Sequence, residues 1–147
     1  MNCFGLIILK THMKKLLYAA MLLLGVGIMA VSCKKDDGIS TKEYANAIVG
    51  EWKLNKMEFY ENGKLKGTQT ATDKESAVLI FTDTGKVTTI ETSGGETHTY
   101  VYDYSVVDNH LVLDGDKCLI KKMTKRELVL SFTYDDEEER AYLTRVK

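Results

Sequence analysis

From Glu51 onward, runs rich in Val, Ile, Thr, Tyr and Phe follow one another with gaps of about five residues at most, whereas parallel neighbours need a crossover of about a dozen. The strands of such a chain must therefore pair antiparallel. Strands are predicted near 51–61, 64–70, 76–82, 86–92, 97–107, 110–114, 117–123, 127–134 and 138–146, a spacing typical of all-β sandwiches and barrels. Proline is absent, so the turns rest on residues that tolerate positive φ, such as Asn62-Gly63, Asp83-Thr84-Gly85, Ser93-Gly94-Gly95 and Asp114-Gly115. The run 64–70 has almost no apolar residue and carries the weakest strand signal. Eight or nine strands in sequence order close most economically into an up-and-down barrel, which removes sheet edges. A two-sheet sandwich is the competing arrangement.

Alternation assigns the faces. In 97–107 the even positions carry His98, Tyr100, Tyr102, Tyr104 and Val106, against Thr97, Thr99, Asp103 and Ser105. Leu128, Leu130, Phe132 and Tyr134 share one face, and Leu79 with Phe81 and Leu111 with Leu113 make further inward pairs. Val78 and Ile80 fall on the opposite parity, so this strand is apolar on both faces, and a face of it is free to meet a helix.

Ahead of these strands, Lys14 and Lys15 precede an apolar stretch, Leu16 to Val31, of about 15 residues. Basic start, apolar run and small residues at the end form a secretory signal peptide, and the run is shorter than the ~20 residues of a membrane-spanning helix. Its end, Ala30-Val31-Ser32-Cys33, resembles a bacterial lipobox, which implies cleavage before Cys33 and a covalent diacylglycerol and acyl lipid on that cysteine. An uncleaved anchor with an incidental cysteine is the plain alternative. Two or more acyl chains, at ~0.8 kcal/mol per buried methylene, anchor a protein stably without a spanning helix. Asn2 to Leu9 is a second apolar stretch ahead of the basic residues, the reverse of signal-peptide order, and points to a translational start at Met13. One long signal is the rival reading. The division expected is 1–32 signal peptide, 33–39 lipidated cysteine and charged tether, and 40–147 barrel domain. Lys34-Lys35-Asp36-Asp37-Gly38 resembles the export signal behind the lipid cysteine of some Gram-negative surface lipoproteins. It favours the outer membrane and surface display over the periplasmic face.

Without residues 1–32 the chain keeps 17 basic and 21 acidic side chains. That mildly acidic balance excludes a basic nucleic-acid binder. Cys118 is then the only cysteine of the barrel domain, expected as a small buried hydrophobe rather than a nucleophile. Ser40 and Glu43 form a capping-box pattern for a short helix ending at Gly50.

Gly50-Glu51-Trp52 follows that helix and opens the first long strand. It is similar to the Gly-x-Trp signature of lipocalins. Val78 to Val87, Tyr102-Asp103-Tyr104 with Leu111-Val112-Leu113, and Lys122 to Leu130 resemble the lipocalin-like domains of bacterial envelope lipoproteins. The resemblance implies a calycin-type barrel of about eight strands after a short helix. It also implies a late arginine, Arg145 or Arg140, packed across Trp52. The chain is shorter than most lipocalins and lacks their usual disulfide, so any cavity is small.

No constellation for catalysis or metal binding is found. His98 and His110 stand apart, nothing has zinc spacing, and no nucleophile elbow or phosphate loop is present. The acidic run Asp135 to Glu139 reads as a solvated turn. An enzyme is not expected, and neither is a cofactor beyond the lipid on Cys33. The aromatic side chains Trp52, Tyr100, Tyr102, Tyr104, Phe132 and Tyr134 either line a mouth for a small apolar or amphipathic ligand or fill a solid core. In the second case the barrel is an interaction module or inhibitor docking on another envelope protein.

Overall fold

The structure, a computed structural model, describes residues 39–146. The signal segment, Cys33 and the charged tether through Gly38 lie outside the described residues.

A 3-10 turn, Thr41–Glu43, runs into a one-turn helix, α1 (Tyr44–Ala47). The Ser40 backbone N–H donates to Glu43 Oε2 at 3.3 Å, the return half of a capping box. Nine strands follow: β1 (Gly50–Glu61), β2 (Lys64–Thr70), β3 (Glu75–Phe81), β4 (Lys86–Ser93), β5 (Glu96–Val107), β6 (His110–Leu113), β7 (Asp116–Met123), β8 (Glu127–Tyr134) and β9 (Glu137–Arg145). Every pairing is antiparallel, and β1 pairs with β9, closing an eight-stranded barrel of β1 and β3 to β9. The hairpins turn where the sequence offers positive φ, as at Asn62 (φ 50°) and Gly63 (φ 72°), which suit the primed turns matching strand twist.

The strict sequence order expected for the meander is broken at β2. β1 pairs with β3 only through Gly50–Lys53; from Lys56 onward that edge of β1 is occupied by β2. The reason lies in the composition of β2. With Leu65 54% exposed and no buried residue, it has nothing to contribute to the core. It therefore lies outside the closed wall, and among the described residues no ladder joins it to β3. The barrel is continuous at the end where β1 begins and split between β2 and β3 at the other.

At the continuous end α1 acts as a stopper. Tyr44 and Ile48 join the core with Trp52, Phe81, Val87, Met123, Leu128 and Leu143, and Ile39 N–H donates to Met123 O at 3.0 Å. The helix lies against β5 and does not cover the outer face of β3, where Val78 and Ile80 stay half-buried. Fully burying side chains of this size is worth about 1.5–3 kcal/mol each, so this end holds the densest part of the core. Cys118 on β7 is buried in the core, 2% exposed.

Candidate functional site

The two ends of the barrel interior differ in chemistry. At the stoppered end, Gly50 takes φ 133°, a conformation that side chains rarely adopt, as the chain leaves the helix for β1. Two residues on, Trp52 is 0% exposed and its Nε1–H donates to Ile48 O at 2.7 Å. The Arg145 guanidinium lies 4.2 Å from the Trp52 ring centre. It donates to Val49 O at 2.8 Å, to Lys125 O at 2.9 Å and to Ala47 O. Ala47 O is among the last carbonyls of α1, which have no partner within the helix and favour a cation, while Lys125 O belongs to the β7–β8 turn. Arg140, the other arginine considered for this role, sits outside the barrel, 4.0 Å from the Tyr60 ring centre.

The six aromatic residues singled out in the sequence do not share one region. Trp52 belongs to the sealed end. So does Tyr104, which meets Phe81 edge-on at 5.0 Å and donates its hydroxyl to Thr82 O at 2.6 Å. Phe132 is buried in the middle of the wall, opposite Glu139 across the β8–β9 ladder, and Tyr134 is half-buried beyond it. Tyr102 lies opposite Val87 across the β4–β5 ladder, and Tyr100 and then His98 follow it toward the split end. The Tyr100 and Tyr102 rings stack at 6.2 Å, His98 follows at 6.5 Å from Tyr100, and both tyrosines are half-buried. Tyr102, Phe59 and Leu113, all half-buried, pack against the core cluster, and Tyr100 and His98 continue from it along β5 toward the mouth of the barrel.

Two carboxyl groups share this interior face. Glu91 lies between Ala77 on β3 and His98 on β5, and Glu139 between Phe59 on β1 and Phe132 on β8. Glu91 is 6% exposed, and its Oε1 is buried without a hydrogen-bond partner. Burial pushes its pKa up to about 7, because a carboxylate withdrawn from water without donors is destabilised relative to the neutral acid. Tyr102 is raised as well, by burial first and then by the charge of Glu91, Tyr100 and Asp114.

The sequence reading missed both. β4 places Val87, Thr89 and Glu91 on one face but Ile90 on the other, so parity alone was ambiguous until Ala77 and His98 flanked Glu91. The acidic run read as a solvated turn is only in part a turn, because Glu137 to Glu139 belong to β9. Glu138 points outward and Glu139 inward.

The outer carboxylates behave differently. Glu58 accepts from Lys56 Nζ at 2.6 Å, Tyr60 at 2.8 Å and Tyr142 at 2.5 Å. Burial pushes its pKa up, and these three donors more than offset that and hold it below the usual value. Glu138 accepts two bonds from Arg140, both at 2.8 Å, with Lys121 at 2.8 Å and Ser131 at 2.6 Å. The Arg140 bonds above all hold it far below the ordinary carboxylate range. A groove of about 400 Å³ lies beside the Glu58 cluster, lined by Asn55, Lys56, Lys122, Leu128, Val129 and Tyr142 among others.

Among the described residues no group of three or more His, Cys, Asp or Glu is placed to hold a metal ion, and no helix is long and apolar enough to cross a membrane. No protein-family profile matches the chain, and no curated protein is similar enough to count as a relative.

Proposed function

We propose that this chain is a lipid-anchored, lipocalin-like barrel of the bacterial envelope that takes a small amphipathic ligand at its split end. The observation that carries the ligand reading is the pairing of half-buried Tyr100 and Tyr102 with the partnerless Glu91 oxygen. Ligand sites are mainly apolar with a few polar groups to orient the guest. Tyrosine offers an apolar ring with a polar tip. A buried polar atom with no partner costs about 1–3 kcal/mol, so a bound donor placed there recovers stability that the empty barrel lacks.

The anchor rests on the lipobox-like Ala30-Val31-Ser32-Cys33 and the basic, apolar segment before it. It gives the domain a membrane leaflet, and Lys34 to Gly38 a charged tether, with surface display favoured.

Native mass spectrometry of the full-length protein extracted from its own membrane tests both parts. The expected result is a cysteine-linked lipid mass that survives denaturation and is absent in Cys33→Ser. A second, non-covalent mass on the folded protein is lost on denaturation. A Cys33→Ser protein that is still acylated defeats the anchor. A domain without the second mass returns the barrel to the interaction-module reading.

A further inference from the structure

The mouth is acidic as well as aromatic. On the inward parity of the split end, Glu91 and Glu139 are buried, and Glu75, Asp116 and Glu137 follow toward the rim. From β3 to β9 that parity carries no lysine, and its one arginine, Arg145, is committed to Trp52 at the far end. The basic residues of this half of the barrel lie elsewhere. Lys121 and Arg140 bind Glu138 on the outside. Among the described residues the cross-strand partner of Glu91 on β5 is His98, itself exposed. Ala77 faces it from β3.

We infer that the ligand of this mouth is an amphipathic amine, its ammonium group held by the partnerless Glu91 carboxylate beside the Tyr100–Tyr102 stack and its apolar part covering the half-buried aromatic side chains. The inference rests on the ligand-binding reading above and specifies its chemistry. A desolvated carboxylate surrounded by other acidic groups repels an anionic guest and gains from a cationic one, because charge-assisted hydrogen bonds are about twice as strong as neutral ones. Tyrosine faces add cation–π attraction to the same charge. The terminal torsion of Glu91 is broad, so a small rotation brings either oxygen to the donor. A raised pKa near 7 is the expected signature of a carboxyl waiting for such a partner.

Three eight-carbon probes separate the possibilities: octylammonium, 1-octanol and octanoate. Each is titrated by calorimetry at pH 8 into the full-length protein in a nonionic detergent. Octylammonium is expected to bind about tenfold more tightly than the alcohol, equivalent to about 1.4 kcal/mol, with octanoate weakest. In Glu91→Gln the preference for the amine over the alcohol should disappear. His98→Lys, at an exposed position, should also erase the preference by placing a cation opposite Glu91. Equal binding of all three, tightest binding of octanoate, or an amine preference that survives Glu91→Gln overturns the amine assignment and leaves a binding barrel. Failure of all three probes to bind overturns the binding-barrel reading along with it.

Discussion

The two ends of this barrel are made from similar residues put to different uses. Each has an aromatic side chain, a charged group and strand edges that must be resolved. At the stoppered end the charged group is Arg145, and its donors are matched to helix and turn carbonyls while its face covers Trp52. At the split end the charged group is Glu91, with a buried oxygen that has no donor at all. Buried polar groups in folded proteins are nearly always satisfied, and an exception calls for a reason. The difference teaches that one end matches its charged group to donors and acceptors of the fold, while the other leaves a buried carboxyl oxygen without a donor.

The sharpest way to break this comparison is to truncate one aromatic residue at each end. Trp52→Ala should cost roughly 3–5 kcal/mol, as large buried aromatic truncations do. Tyr102→Ala should cost clearly less, since its ring is half-buried, but should abolish ligand uptake. Urea unfolding of the two variants, read by circular dichroism, measures the contrast. Equal losses would place Tyr102 in the structural core and remove the mouth.

Much of this contrast was legible in the sequence, and its limits are physical. Strand bounds followed from turn residues and β-type runs, because gaps this short allow only antiparallel pairing. The helix, Gly50 and Trp52 were legible from local signals. The displacement of β2 was not, although its lack of apolar residues was the cause. Which of Arg140 and Arg145 reaches Trp52 depends on β9 register, since Trp52 pairs with Arg145 across the ladder. Glu91 was missed because burial of a polar residue is decided by its neighbours on other strands, and Ile90 beside it blurs the alternation. Tyr104 and Tyr102 read alike in sequence, and only the register of β5 sets Tyr104 opposite Leu113 and Tyr102 opposite Val87.

A second prediction concerns pH. Glu91 has a folded pKa of about 7, above the ordinary 4.5. Between these values the folded state holds a proton that the unfolded chain has lost, so stability declines as pH rises through that window. Above pH 7 the full penalty is present, on the order of 1–3 kcal/mol. Glu91→Gln removes it, so the variant should be more stable than the parent at pH 8 and similar to it near pH 4.5. Glu58 and Glu138 act in the opposite sense. Their folded values are depressed, so their contribution is present above about pH 4.5 and lost as pH falls below it. Thermal melts at pH 4.5 and 8 of parent and variant read the Glu91 effect directly. A Glu91→Gln protein no more stable at pH 8 would mean that the carboxyl already has a partner, which removes the distinction between the ends.

The smallest effect is the finest test, because it applies one chemical change to two tyrosines of the same strand. Tyr104 donates its hydroxyl to Thr82 O at 2.6 Å, so Tyr104→Phe leaves that carbonyl with only the longer bond from Gly85 N–H at 3.4 Å and should cost about 1 kcal/mol. Tyr102 makes no such hydrogen bond among the described residues, and its ring already stacks on Tyr100. Tyr102→Phe should therefore leave the unfolding midpoint almost unchanged, while altering the binding of any guest that uses the hydroxyl. A measurable loss from Tyr102→Phe in the ligand-free protein would mean that its hydroxyl is structurally engaged. The split end would then be finished by its own side chains, as the stoppered end is, and would have no polar group left to offer.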